Sequence, residues 1–128
     1  MTRTTYAAEV TVSDGRRYAS LGTVTVRNRR LVLLWLRRQA LRLADAHGNR
    51  TALEREALRL PTTDVRPVLF HGSDAPEGLR FWATDHHRQD DAIRTLEAGF
   101  PLQFTVLDAA VGLSLTLAGW RTSPADRP

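Results

Sequence analysis

"RNRRLVLLWLRR", residues 27–38, decides the fold: six consecutive apolar residues, Leu31 to Leu36, stand between two clusters of arginine. Such a run fits part of a membrane span, a strand buried on both faces, or the opening turns of a helix. A span needs about 20 apolar residues, and this run stops far short. Periodicity cannot separate the other two, because every position in the run is apolar.

The flanks therefore carry the choice. Downstream, Leu41 and Leu43 alternate with Arg42, and Leu58 and Leu60 alternate with Arg59. Between them Asp-Ala-His-Gly-Asn (45–49) has the composition of a loop joining two strands. The competing reading is helical, with Gly48 as a C-cap and Thr51 to Glu54 as a capping box, giving a helix-turn-helix. Pro61 and Pro67 fall where its recognition helix should run, and a helix interior rejects proline by about 3 kcal/mol. Strands are favoured, and LVLLWL becomes a central strand with its arginines outside the core.

Upstream, Tyr6, Ala8, Val10 and Val12 alternate with Thr5, Ala7, Glu9 and Thr11. Ser-Asp-Gly-Arg (13–16) supplies the turn, and a partner strand follows with Val24 and Val26 inward. Asn28 suits the next reversal. Further on, VRPVLFH (65–71) and LRFWAT (79–84) read as strands separated by a polar turn, HGSDAPEG. A helix is expected near 85–98, capped by Thr84 or Asp85, with Ala92, Ile93 and Leu96 at helical spacing and Gly99 closing it. Leu102, Phe104 and Val106, then Leu113, Leu115 and Leu117, form a C-terminal hairpin.

The expected fold is mainly β: seven strands and one helix, plus that hairpin, in one domain over residues 1–120 with a disordered tail over 121–128. This order, and the run ALRLPTTDVRPVLFHGSDAPEGLRFWATDHHRQDDAIRTLEAG (57–99) with its corner Leu60-Pro61-Thr62-Thr63-Asp64-Val65, resembles bacterial pleckstrin-homology-like domains over residues 5–99. The resemblance implies a partly open barrel plugged by a helix, acting as a binding module without catalysis. Some members of that family bind phosphoinositides through basic residues of the first strand-to-strand loop. Arg16 and Arg17 occupy that loop here, but Arg17-Tyr18-Ala19 lacks the family's basic-x-basic pair.

Charge is distributed unevenly. All 18 basic residues are arginine, and the net charge is +4. Between Asp14 and Asp45 stand Arg16, Arg17, Arg27, Arg29, Arg30, Arg37, Arg38 and Arg42 with no acid among them. Such a segment attracts phosphate or acidic protein surfaces if its arginines share a face. Arg16, Arg17, Arg27, Arg29 and Arg30, lying in turns, are the candidate ligand-binding residues. The expected function is recognition of a protein or an anionic ligand through this segment. A nucleic-acid-binding β-barrel and a subunit that self-associates through its C-terminal hairpin are the alternatives.

Other chemistry is weakly represented. Cysteine is absent, which excludes disulfides, thiol nucleophiles and cysteine-held zinc. His86 with Asp90 and His87 with Asp91 have a spacing metal ligands use, but polar side chains opening a helix suffice to explain them. His71, Ser73 and Asp108 offer the residue types of a hydrolase without the nucleophile elbow of one. No catalytic activity, metal or cofactor is expected. The start MTRTTYAAEV has no apolar leader run, which points to the cytoplasm. Trp35 is a candidate interface anchor, with the core as its plainer place.

Overall fold

A computed structural model of the chain describes residues 5–46, 65, 74–109 and 111–122. The N-terminal hairpin forms as its alternation requires, from β1 (Thr5–Ser13) and β2 (Tyr18–Val26). Gly15 turns it with φ +92, while the Asp14 carboxylate accepts the backbone N–H groups of Arg16 and Arg17 at 2.9 and 2.8 Å. The C-terminal hairpin also forms, from β3 (Leu102–Asp108) and β4 (Leu113–Thr122). β4 then pairs antiparallel with β1, so the strands lie in the order β2-β1-β4-β3. Tyr6, Ala8, Val10, Leu115, Leu117, Leu102 and Val106 are buried on one face of this sheet. The opposite face is rich in threonine: Thr11, Thr23, Thr25, Thr105 and Thr116.

The decisive stretch is helical, which corrects the expected strand. α1 (Arg29–Ala46) begins where the Asn28 side-chain oxygen accepts the Leu31 N–H at 3.0 Å, an N-cap three residues ahead of its donor. Val32, Leu36, Gln39 and Leu43 recur at helical spacing and are buried, with Leu33, Ala40 and Ala44 beside them. Leu34, inside the apolar run, is 60% exposed. The expected strand LRFWAT is likewise helical. α2 (Ala75–Thr84) starts within the supposed turn, with Pro76 near its first position and Glu77 in its first turn. Its buried face is Ala75, Pro76, Leu79, Trp82 and Ala83.

The third helix is the one the spacing predicts: α3 (His86–Glu97), separated from α2 by Asp85 alone. It closes in a Schellman arrangement, with Gly99 N–H on the Leu96 carbonyl, Phe100 N–H on that of Thr95, and Gly99 at φ +87. The fold is thus one open four-stranded antiparallel sheet with three helices among the described residues, in place of seven strands and one helix. Among the described residues the sheet is open, with β2 and β3 at its edges, and does not form the seven-strand, partly open barrel implied by the pleckstrin-homology-like resemblance. Residues 60–64 of the corner motif, 66–71 of the expected strand VRPVLFH, the expected strand at 58–60 and the tail from 123 onward lie outside the described residues. β4 itself continues through Arg121 and Thr122.

Close approach fixes how the helices sit. A Cβ on Gly119 of β4 would stand 2.6 Å from Val32 Cγ1, so glycine lets α1 lie directly on the sheet. Trp82 stacks on Phe104, ring centroids 5.3 Å apart, and a Cβ on Gly78 would stand 3.2 Å from Val106 Cγ1. β3 therefore runs beneath α2 from its C-terminal toward its N-terminal end. Asp108, the last residue of β3, is buried. Arg37 Nε donates to the Ala83 carbonyl and Arg80 Nη2 to that of Ala44, joining α1 to α2 from both sides.

Candidate partner-binding surface

The five candidate arginines divide into two groups. Arg16 and Arg17 are exposed in the β1–β2 turn, and Arg27, Arg29 and Arg30 stand at the other end of β2. Nine residues of strand separate them, about 25–30 Å at ~3.3 Å per residue. The fold does not bring these groups into one patch. At the first group, the backbone N–H groups of Arg17 and then Arg16 hold the Asp14 carboxyl below the usual carboxylate range. An ionised acid is thereby fixed between the two arginines' own amides, which dilutes the positive field there.

The second group continues into a surface that the strand reading hides. Helical geometry sorts the arginines of α1 in steps of about 100°. Arg37 turns to α2, and Arg42 Nη1 donates to the Gln39 side-chain oxygen at 3.0 Å and the Val65 carbonyl at 3.3 Å. Arg30, Leu34 and Arg38, four residues apart, are exposed in one outward stripe, with Leu31 exposed beside them. In the helical layer, Phe81 of α2 is also 55% exposed and carries the Arg88 guanidinium 5.3 Å from its ring centroid.

Arg29 and Arg30 also occupy the first turn of α1, which contains no acid, and its last turn contains no base. Cations at the positive end of a helix dipole are unfavourable, by about 0.3–1 kcal/mol each. Arg29 is partly offset by an ion pair with Glu97 at 3.5 Å, a half-exposed contact of the kind worth about 0–1 kcal/mol. The placement works against helix stability, and local rules are most often broken where a surface has another use.

The remaining candidates are dispersed. Trp35 is buried and so is not an interface anchor. His86 and His87 are exposed at the start of α3, and no group of three or more His, Asp or Glu among the described residues is arranged to hold a metal ion. His71 and Ser73 lie outside the described residues. No helix among the described residues is long and apolar enough to cross a membrane. Leu34, Arg38, Phe81 and Arg88 were missed by sequence reasoning, and only the helical period of residues 29–46 could have grouped the first two. No family model, curated protein or solved structure matches the chain.

Proposed function

We propose that the protein is a non-catalytic binding module that docks a partner protein on the outward face of α1, through Arg30, Leu34 and Arg38. The observation that carries this reading is a leucine, 60% exposed, set between two exposed arginines one helical turn away on either side. Phosphate alone satisfies the arginines but leaves Leu34 in water. A partner helix or loop bearing both acidic and apolar side chains satisfies all three, burying the leucine and pairing the guanidinium groups in bidentate geometry. The absence of acids between Asp14 and Asp45 adds long-range attraction for such a partner. A cytoplasmic setting is part of the proposal, consistent with a cysteine-free chain that needs no oxidising compartment.

The test is titration with three probes: an amphipathic helical peptide rich in Glu and Leu, a DNA duplex, and vesicles containing anionic lipid. The peptide is expected to bind, more weakly at about 200 mM than at about 50 mM salt, as exposed charge pairs are screened. Arg30→Glu with Arg38→Glu should abolish binding, and Leu34→Ser should weaken it without altering its salt dependence. Binding of DNA or vesicles in place of the peptide refutes the protein-partner reading, and peptide binding unchanged by the arginine reversals refutes the surface.

A further inference from the structure

The geometry points to a second contact surface: the outer edge of β3 pairs, antiparallel and about a two-fold axis at Thr105, with β3 of a second copy of this chain. Among the described residues the sheet has two edge strands, β2 and β3, and they differ in how they are protected. Edge strands template pairing unless a bulge, a charge, a proline or a covering segment blunts them. β2 is interrupted: its register against β1 shifts between Val10 and Thr11, and Val65 packs against Gly22 on its helix side. Among the described residues β3 carries no bulge and no covering strand, and its one inward-pointing charge, Asp108, stands at its C-terminal end, away from Thr105. It pairs with β4 in unbroken register from Leu102 to Asp108 and contains no proline.

The sequence of β3 is also complementary to itself. A two-fold at Thr105 sets Thr105 against Thr105 of the second copy and Phe104 against its Val106, with Gln103 facing its Leu107. Threonine pairs and aromatic with β-branched pairs are among the favourable cross-strand neighbours, and no like charges are opposed. Leu107, 67% exposed on the threonine-rich face, gains a neighbour there. The pairing joins two sheets into one of eight strands, with the helices of both copies on one side. Such an isologous contact closes on itself, giving a dimer and no longer polymer. It uses a different surface from the α1 face, so reversing Arg30 and Arg38 should leave it intact.

The chain contains no cysteine, so a single introduced thiol reports the contact unambiguously. Thr105→Cys places two thiols across the axis on Cβ atoms about 4.5–5.5 Å apart, close enough for a disulfide after a small adjustment. Mild oxidation is expected to cross-link Thr105→Cys nearly completely while Thr23→Cys, exposed on edge strand β2, stays monomeric. In sedimentation, wild-type protein should show twice the 14.3 kDa chain mass. Thr105→Lys should sediment as a monomer with an unchanged circular dichroism spectrum; if that variant does not fold, the cysteine pair decides. A wild-type monomer across a dilution series, a dimer that survives in folded Thr105→Lys, or equal cross-linking from Thr23→Cys overturns the proposal.

Discussion

Replacing Gly119 with alanine tests the central contact of the fold, the seating of α1 on β4. The new methyl would meet Val32 Cγ1 at 2.6 Å and Leu36 Cδ1 at 3.5 Å. Carbon atoms pack favourably at about 3.5–4.0 Å, so the valine must retreat by roughly 1 Å. Val32 is β-branched and held in essentially one rotamer in a helix, so the movement falls on the backbone of α1. Overpacking of this kind costs about 1–3 kcal/mol. Against it stands a gain of about 0.4–1 kcal/mol from the less flexible unfolded chain. Overpacking wins, leaving a net loss of about 1–2 kcal/mol, or roughly 4–8 °C in Tm for a chain of this length. Val32→Ala removes the opposing atom, so in that background Gly119→Ala should cost little, a coupling of about 1–2 kcal/mol. Thermal melts of the four proteins read this directly. A Gly119→Ala Tm at or above wild type, or the same loss in both backgrounds, would refute the packing and with it the helical assignment of residues 29–46.

Two further perturbations probe the polar contacts. Gln39 is fully buried and its side-chain oxygen accepts the Val65 N–H at 3.1 Å as well as Arg42 Nη1. Gln39→Leu keeps most of the volume but strands a buried donor, so the urea midpoint should fall by the equivalent of about 1–3 kcal/mol, with an unchanged slope if the denatured state is unaltered. Asp14 has its folded-state pKa lowered from the ordinary value of 3.8 by the Arg17 and Arg16 amides, so its contribution to stability is complete above that value and lost as pH falls through the lower folded one. The gap in Tm between wild type and Asp14→Asn should therefore hold steady from about pH 7 to 5 and close in stronger acid. A gap independent of pH would mean that the carboxylate charge does not hold the turn.

Both hairpins and α3 are legible in the sequence because their signals are local. Period-two alternation and an Asp-Gly turn define the first hairpin, and Asp85, Ala92, Leu96 and Gly99 define α3. The pairing of β1 with β4 is a contact between residues more than a hundred positions apart, such as Thr5 with Thr122, and no local signal encodes it. α1 was lost for a different reason. Leu41-Arg42-Leu43 alternates over only three residues, and three residues fit a helix flank as well as a strand: Leu43 is buried and Leu41 half-buried. Composition held the better clue. From Arg29 to Ala46 there is no glycine or proline and a single β-branched residue, Val32, among many Leu, Ala and Arg. For α2 the clue was Asp74-Ala75-Pro76-Glu77, a helix opening whose Gly78 made it look like a turn. Gly78 is there because Val106 lies close beneath it.

The error over α1 carried straight into the functional reading, because the same arginines mean different things on a strand and on a helix. On a strand, Arg29, Arg30, Arg37 and Arg38 gather at two ends as solubilising rims, and the only places left for a ligand are the turns. On a helix they are dealt out around the axis. Arg37 and Arg42 reach the backbone of α2 and Val65, and Arg30 and Arg38 are exposed on either side of an exposed Leu34. The acid-free charge of residues 15–44 was visible from the start; its direction was not, since direction depends on a 100° step that LVLLWL conceals by being apolar throughout. Once that step is known, Leu34 becomes the informative residue. A helix that needed only solubility would place a charge at this outward position, and one that needed only stability would keep arginine out of its first turn. α1 does neither, and this apolar side chain framed by guanidinium groups is the feature on which the proposed docking of an acidic, partly apolar partner rests.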